Sequence, residues 1–247
     1  MGTGSSLDTR SRRLQYLEAM GIQAWDLRNF AVKPLGVEQD VAEVAGMDAS
    51  SGEVPGQSAV SGFDWKTLQA GVEACTHCEL HTTRTQSVFG VGNRNADWLL
   101  IGEAPGRDED QQGEPFVGRA GQLLNAMLQA IGLQREQVYI ANILKCRPPN
   151  NRDPRPEEVV CCEPYLMRQI ELIQPRLILA LGRIAAQNLL NTEMPIGKLR
   201  GRVHQFRDTG IPLIATYHPA YLLRSPVEKR KVWQDLQLAV ETLQEQV

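Results

Sequence analysis

Four short, uninterrupted apolar runs, separated by helix-length segments, constrain this chain more than any other feature. They are Trp98–Ile101, Val138–Ala141, Leu177–Leu181 and Leu213–Ala215. A strand wetted on one face alternates apolar and polar residues, whereas a strand apolar throughout must be covered on both faces. The intervening segments carry helical spacing. Gly118–Ile131 sets Leu123, Leu124, Met127, Leu128 and Ile131 on one face. Pro156–Ile173 opens with Pro and two Glu, as the positive N-terminal end of a helix favours. Further helices are expected over 183–190 and 227–246. The pattern predicts an α/β fold: three layers, α/β/α, around a central four-stranded parallel sheet. Ligands of such sheets bind outside the carboxyl ends of the strands. The chemistry is therefore expected in the loops after Ile101, Ala141, Leu181 and Ala215.

The pattern begins only at Phe63. Before it, Leu14, Leu17, Met20 and Trp25 recur at helical spacing, with Gly21 as a helix stop. Val32–Gly62 is rich in Gly, Ser, Ala and acid and holds no aromatic residue. Such a segment cannot bury enough surface to order itself. The expected organisation is a short helical peptide over 1–30, a flexible linker over 31–62 and one α/β domain over 63–247. Residues 1–63 hold 5 Lys and Arg against 8 Asp and Glu, leaving 21 of each sign for the remainder, which is neutral overall. Its positive charge is clustered at Lys145/Arg147/Arg152/Arg155, Lys198/Arg200/Arg202 and Arg224/Lys229/Arg230/Lys231. That balance argues against a protein that coats nucleic acid and suits one that holds it on a single face. No run of about 18 apolar residues spans a membrane, and the first residues lack a secretory signal, so a cytoplasmic protein is expected.

Five cysteines occur: Cys75, Cys78, Cys146, Cys161 and Cys162. In a reducing compartment they are not expected as disulfides. Cys75 and Cys78 form a C-x-x-C pair, Cys146 follows the second strand, and the adjacent Cys161 and Cys162 lie on the next helix. Neighbouring helical residues point in different directions, so only one of the last two can readily ligate. Thiolates from three separate segments, without a second C-x-x-C, suit a four-cysteine iron–sulfur cluster better than a zinc ribbon. Structural zinc, with His77 or His81 in reach, and unrelated thiols stay open on spacing alone.

In the loops, Gly102-Glu103-Ala104-Pro105-Gly106 makes a tight turn where main-chain N–H groups can approach a ligand. Phe116, between Pro115 and Val117-Gly118, is either core or a stacking platform for a flat ring. Asn142 ends the second strand. It is either a turn residue or a fixed amide offering one acceptor and one donor side by side. His218-Pro219 follows the fourth strand, with apolar Leu222, Leu223 and then Arg224, a combination able to bond a base, wedge into a stack and hold phosphate.

Taken together, CTHC (75–78), GEAPGRDEDQQGEPFVGRAGQLLN (102–125), VYIANILKCRPPNNRDP (138–154), Cys162 and HPAYLLR (218–224) resemble the family 4 uracil-DNA glycosylases, the iron–sulfur branch of that superfamily. The resemblance runs over about residues 70–245. It implies excision of uracil from DNA in base excision repair and a 4Fe-4S cluster on Cys75, Cys78, Cys146 and Cys162. It also implies a uracil slot. Glu103 and Ala104 line it through the backbone, Phe116 stacks, Asn142 matches N3–H and O4, and His218 faces O2. Leu222 or Leu223 would fill the gap in the base stack, Arg224 would grip phosphate, and Asn151 would assist nearby. Glu103, Asn142 and His218 are the expected catalytic set. Glu103 stands where other branches carry an Asp that positions water. Residues 14–28 resemble the N-terminal peptide of the psi subunit of the bacterial clamp loader, which implies a replication partner. A monomer is expected. The competing reading is a non-catalytic iron–sulfur module that binds nucleic acid during replication.

Overall fold

A computed structural model describes residues 60–246. The peptide expected over 1–30, the replication partner read from 14–28 and nearly all of the linker lie outside the described residues. Packed structure begins slightly before Phe63, because Val60 is already buried against Leu68, Val72, Phe89 and Tyr165.

The chain runs α1 (Trp65–Glu73), β1 (Val91–Gly92), β2 (Trp98–Gly102), α2 (Arg107–Gln112), α3 (Arg119–Ala130), β3 (Tyr139–Asn142), α4 (Pro156–Ile173), β4 (Leu177–Leu181), α5 (Arg183–Leu189), α6 (Ile196–Leu199), β5 (Val203–Phe206), β6 (Ile211–Thr216), α7 (Pro219–Arg224) and α8 (Lys229–Gln244). The strands form one sheet in the order β1-β3-β2-β4-β6-β5. Its centre, β3-β2-β4-β6, is parallel, as the apolar runs require. The four expected parallel strands are thus present, and two strands that the sequence reading did not include bring the sheet to six. β1 pairs antiparallel with β3, and β5 antiparallel with β6, so both edges are closed by short reversed strands.

The parallel strands are buried along their whole length because each residue meets a helix layer. Leu100, Ile140, Leu179 and Ile214 project to one side, against Leu124, Met127 and Leu128 of α3 and Leu236 of α8. Leu99, Ile101, Ala141, Ile178, Ala180 and Leu213 project to the other, against Leu166 and Ile170 of α4 and Ala185 and Ala186 of α5. This two-residue alternation within wholly apolar strands builds two cores on one sheet. At about 25 cal/mol per Å² of apolar surface, burial of a Leu or Ile contributes roughly 1.5–3 kcal/mol. Among the described residues no helix is long and apolar enough to cross a membrane.

The chain leaves β2 toward β3 on one side and β4 on the other, so the strand order reverses at β2. The carboxyl ends of β2, β3, β4 and β6 then open onto one crevice, where doubly wound sheets bind ligands.

Candidate active site

Register places the first two members of the site side by side, since Gly102 at the end of β2 pairs with Asn142 at the end of β3. A Cβ on Gly102 would lie 2.4 Å from Asn142 Oδ1 and 2.7 Å from Phe116 Cζ. Only glycine therefore lets amide and ring close on the strand end. Asn142 is 2% exposed, and its Oδ1 is buried with no hydrogen-bond partner. An unpaired buried acceptor costs about 1–3 kcal/mol. Among the described residues it is left without a donor.

Phe116 forms the adjoining wall. Its φ of 54° is left-handed, which a bulky residue rarely adopts unless its surroundings impose it. The surroundings do. Arg135 donates to the Pro115 carbonyl at 2.5 Å and to that of Phe116 at 3.3 Å. The Glu109 carboxylate accepts from the main-chain N–H groups of Gly106, Val117 and Gly118 at 3.1–3.3 Å, tying α2 to both loops. A Cβ at Gly121 would fall 1.7 Å from the Phe116 carbonyl oxygen, so the first turn of α3 must carry glycine there.

His218 completes the group from the end of β6. Its ring lies 5.4 Å from that of Phe116 with 30° between planes, and Gly182, at φ +99°, makes room for its Cβ. Burial, and secondarily the Arg224 charge, hold the imidazole far below its ordinary value, at about 4. It is thus neutral at physiological pH. Its Nδ1 accepts from the Ala220 N–H at 3.1 Å, which leaves the proton on Nε2. The ring is a fixed neutral donor. Glu103 is shifted the other way, to about 7, first by burial and then by the Asp153 carboxylate, with Arg183 opposing. Arg183 and Asp153 are themselves paired at 2.7 Å.

A second site lies behind β3. Cys75, Cys78, Cys146, Cys161 and Cys162 line one small pocket, partly open to solvent, with His77, His81 and Arg84. Cys146 and Cys162 are buried, while Cys75 and Cys78 are partly exposed. Arg84 donates to Cys146 Sγ at 3.0 Å, and the Lys145 N–H donates to Cys162 Sγ at 3.3 Å. Cys161 instead points its Sγ at the His77 carbonyl, 3.3 Å away. Burial pushes the Cys162 thiol up to about 12. Among the described residues, no three His, Cys, Asp or Glu side chains converge as a ligand set for one metal ion.

Residues 89–237 match the model of the uracil DNA glycosylase superfamily. The chain belongs to that superfamily. It is 54% identical over 161 residues to a type-4 uracil-DNA glycosylase of Archaeoglobus fulgidus, covering 63% of this chain and 81% of that protein. It is 45% identical over 171 residues to one from Thermotoga maritima, covering 68% and 88%. The corresponding figures for one from Pyrobaculum aerophilum are 42% over 180 residues, 70% and 92%. These likenesses place it in the type-4 branch.

In this type-4 chain only part of the expected set is brought together. Glu103, Phe116, Asn142 and His218 gather at the carboxyl ends of the strands. The Ala104 side chain packs toward Leu144, Cys146 and Cys162, so only its main chain is left to face the slot. Leu222 is corrected. It is 1% exposed and packs in the core beside Leu123 and Met127, so it cannot enter a base stack. Leu223 is 38% exposed and Arg224 is exposed, which leaves both available to DNA. Asn151, at φ 53°, accepts from Arg147 Nε at 2.7 Å. Sequence reasoning missed Glu109 and Arg135, and it named Gly102 and Lys145 without these contacts. Glu109 had a signal in its position three residues after the cap Gly106. Arg135 reaches back across 20 residues and had none.

Proposed function

We propose that this chain hydrolyses the N-glycosidic bond of deoxyuridine in DNA, releasing uracil and leaving an abasic site. The observation that carries the reading is the orphaned Asn142 Oδ1 at the slot, beside the Phe116 ring. Uracil offers N3–H to that oxygen and O4 to the amide nitrogen. Cytosine offers an unprotonated N3 and an amino group, so both contacts fail and the buried amide stays unpaired.

The nucleotide is flipped from the stack at a cost of a few kcal/mol. Phe116 stacks on the base, and the main chain of Glu103 and Ala104 lines it. The C1′–N1 bond breaks with its electron pair moving onto the base. His218 Nε2–H donates to O2, where the charge collects. A neutral imidazole suits this role, since it stabilises the anion without first having to be protonated. Water then adds to C1′ and gives its proton to Glu103, whose raised pKa makes it a working base near neutrality. Leu223 fills the vacated stack and Arg224 holds phosphate.

The thiol cavity fits a 4Fe-4S cluster. Cys75, Cys78, Cys146 and Cys162 would ligate it, and the N–H donors at Arg84 and Lys145 suit sulfurs that become thiolates. The cluster would tie the segment around α1 to the loop after β3; Cys161, turned to the His77 carbonyl, is spare. Residues 14–28 would tether the enzyme to the clamp loader, read by binding of a 1–35 peptide.

Pure protein is incubated with oligonucleotides carrying one uracil or one cytosine, abasic sites are cleaved with alkali, and the visible spectrum is recorded. Cleavage at uracil only, by brown protein, is expected. Brown protein that binds DNA without releasing base would make it a non-catalytic module. Colourless protein would sink the cluster assignment.

A further inference from the structure

Lys145 is 1% exposed, and it is prominent among the largest fully buried side chains. Burying an ammonium costs several kcal/mol unless its protons are well placed. Here two are. Nζ donates to the main-chain carbonyl of Asn142 at 3.0 Å and to Gln169 Oε1 at 2.7 Å. Gln169, itself wholly buried, cannot turn its amide, because its Nε2 donates to the Phe89 carbonyl at 2.9 Å and to the Tyr139 hydroxyl at 3.3 Å. The acceptor Oε1 is thereby aimed at the lysine. The main chain of Lys145 is held too: its N–H donates to Cys162 Sγ, and its carbonyl accepts from the Val88 N–H at 2.8 Å.

We propose that Lys145 is a positioning residue that fixes Asn142 in the slot and links its place to the thiol cavity. The inference rests on the reading of Asn142 as the residue that recognises the base. Charge compensation of the cavity is a weaker explanation of the same lysine. The sulfur bond comes from the main-chain N–H, which nearly any residue supplies, while the ammonium is spent on two oxygens, one of them belonging to Asn142. Asn142 is the last residue of β3; the N–H of the next peptide is held by the Gly102 carbonyl at 2.9 Å, and the ammonium holds the carbonyl of the same peptide. The ammonium grips the carbonyl of the very residue whose side chain must stay within a fraction of an ångström. A misplacement of about 1 Å at a reacting centre costs about 100-fold in rate.

The test is a double-mutant cycle on the full chain, joining Lys145→Met with Asn142→Ala. Three quantities are read: single-turnover release of uracil, visible absorbance per protein, and the thermal shift produced by free uracil. Lys145→Met alone should slow release by about 10-fold to 100-fold and abolish the uracil shift, with the absorbance kept. In the Asn142→Ala background it should cost less than about 2-fold, because residues acting as one unit are non-additive. An equal loss in both backgrounds overturns the proposal. Should Asn142→Ala keep full activity, the reading of the slot fails first and takes the proposal with it. If Lys145→Met does not fold, the cycle is run with Lys145→Gln, which keeps a donor, and with Gln169→Met, which removes the other acceptor. Each must show the same non-additivity, or the proposal falls.

Discussion

Gly102→Ala adds one methyl group at the point where the proposed slot is narrowest. The new Cβ would stand 2.4 Å from Asn142 Oδ1 and 2.7–2.8 Å from two atoms of the Phe116 ring, where ordinary contact begins at 3.4 Å. The amide oxygen must therefore retreat by about 1 Å, and the ring by about 0.7 Å. The ring has little freedom, since Arg135 and Glu109 hold its loop and Gly121 abuts its carbonyl. Gly102 itself has no left-handed φ, so alanine adds no backbone strain. Overpacking of this kind costs about 1–3 kcal/mol, a fall of several degrees in melting temperature, and the protein should still fold. Catalysis suffers more. Displacing the amide by about 1 Å should slow single-turnover cleavage of a uracil oligonucleotide by about 100-fold. Gly197→Ala is the control: a Cβ there meets nothing within 4 Å, and alanine in α6 should leave the rate unchanged. A Gly102→Ala protein that cleaves within about three-fold of the parent would show that uracil is not read between Asn142 and Phe116.

Three further outcomes are expected. His218→Ala should lower the single-turnover rate by about 10²–10³, as loss of an oxyanion donor does; near-full cleavage would remove His218 from the chemistry. Glu103 has a raised pKa of about 7 and acts ionised, so the rate should rise with pH through about 7 and fall below it as the carboxyl takes up its proton. His218 is neutral above about 4 and adds no limb in that range. Glu103→Gln should flatten the rise and slow the reaction, and a limb that survives the substitution would belong to another group. Cys162→Ser should lose the brown colour and melt at lower temperature, whereas Cys161→Ser should keep both properties; colour that follows Cys161 would reverse the ligand assignment.

The parts of the fold legible in the sequence are those where one physical demand covers a whole segment. Leu177–Leu181 and Pro156–Ile173 are found as expected because burial on both faces and a capped amphipathic helix each impose a pattern over many residues. The edge strands escape that logic. β1 is two residues long, and β5, at the sheet's edge, reads Val-His-Gln-Phe and is largely exposed. The short α7 was hidden differently, behind residues that suggest a loop. His218 is its cap and Pro219 its first residue, an arrangement in which a histidine ring nitrogen replaces the usual Ser or Asp oxygen.

That cap decides which side chains can meet DNA. Once Pro219–Arg224 is a helix, consecutive residues turn by about 100°, and two adjacent leucines cannot share an environment. Leu222 turns into the core and Leu223 outward. The same bond that starts the helix, from the Ala220 N–H to His218 Nδ1, also fixes the proton on Nε2. One hydrogen bond thus sets both the tautomer that would face the base in the proposed reaction and the phase of the helix that leaves Leu223 and Arg224 exposed. If His218 is the donor and Leu223 the wedge, as proposed, a rigid helix rather than a free loop would keep the two in a constant relation when a nucleotide is drawn out.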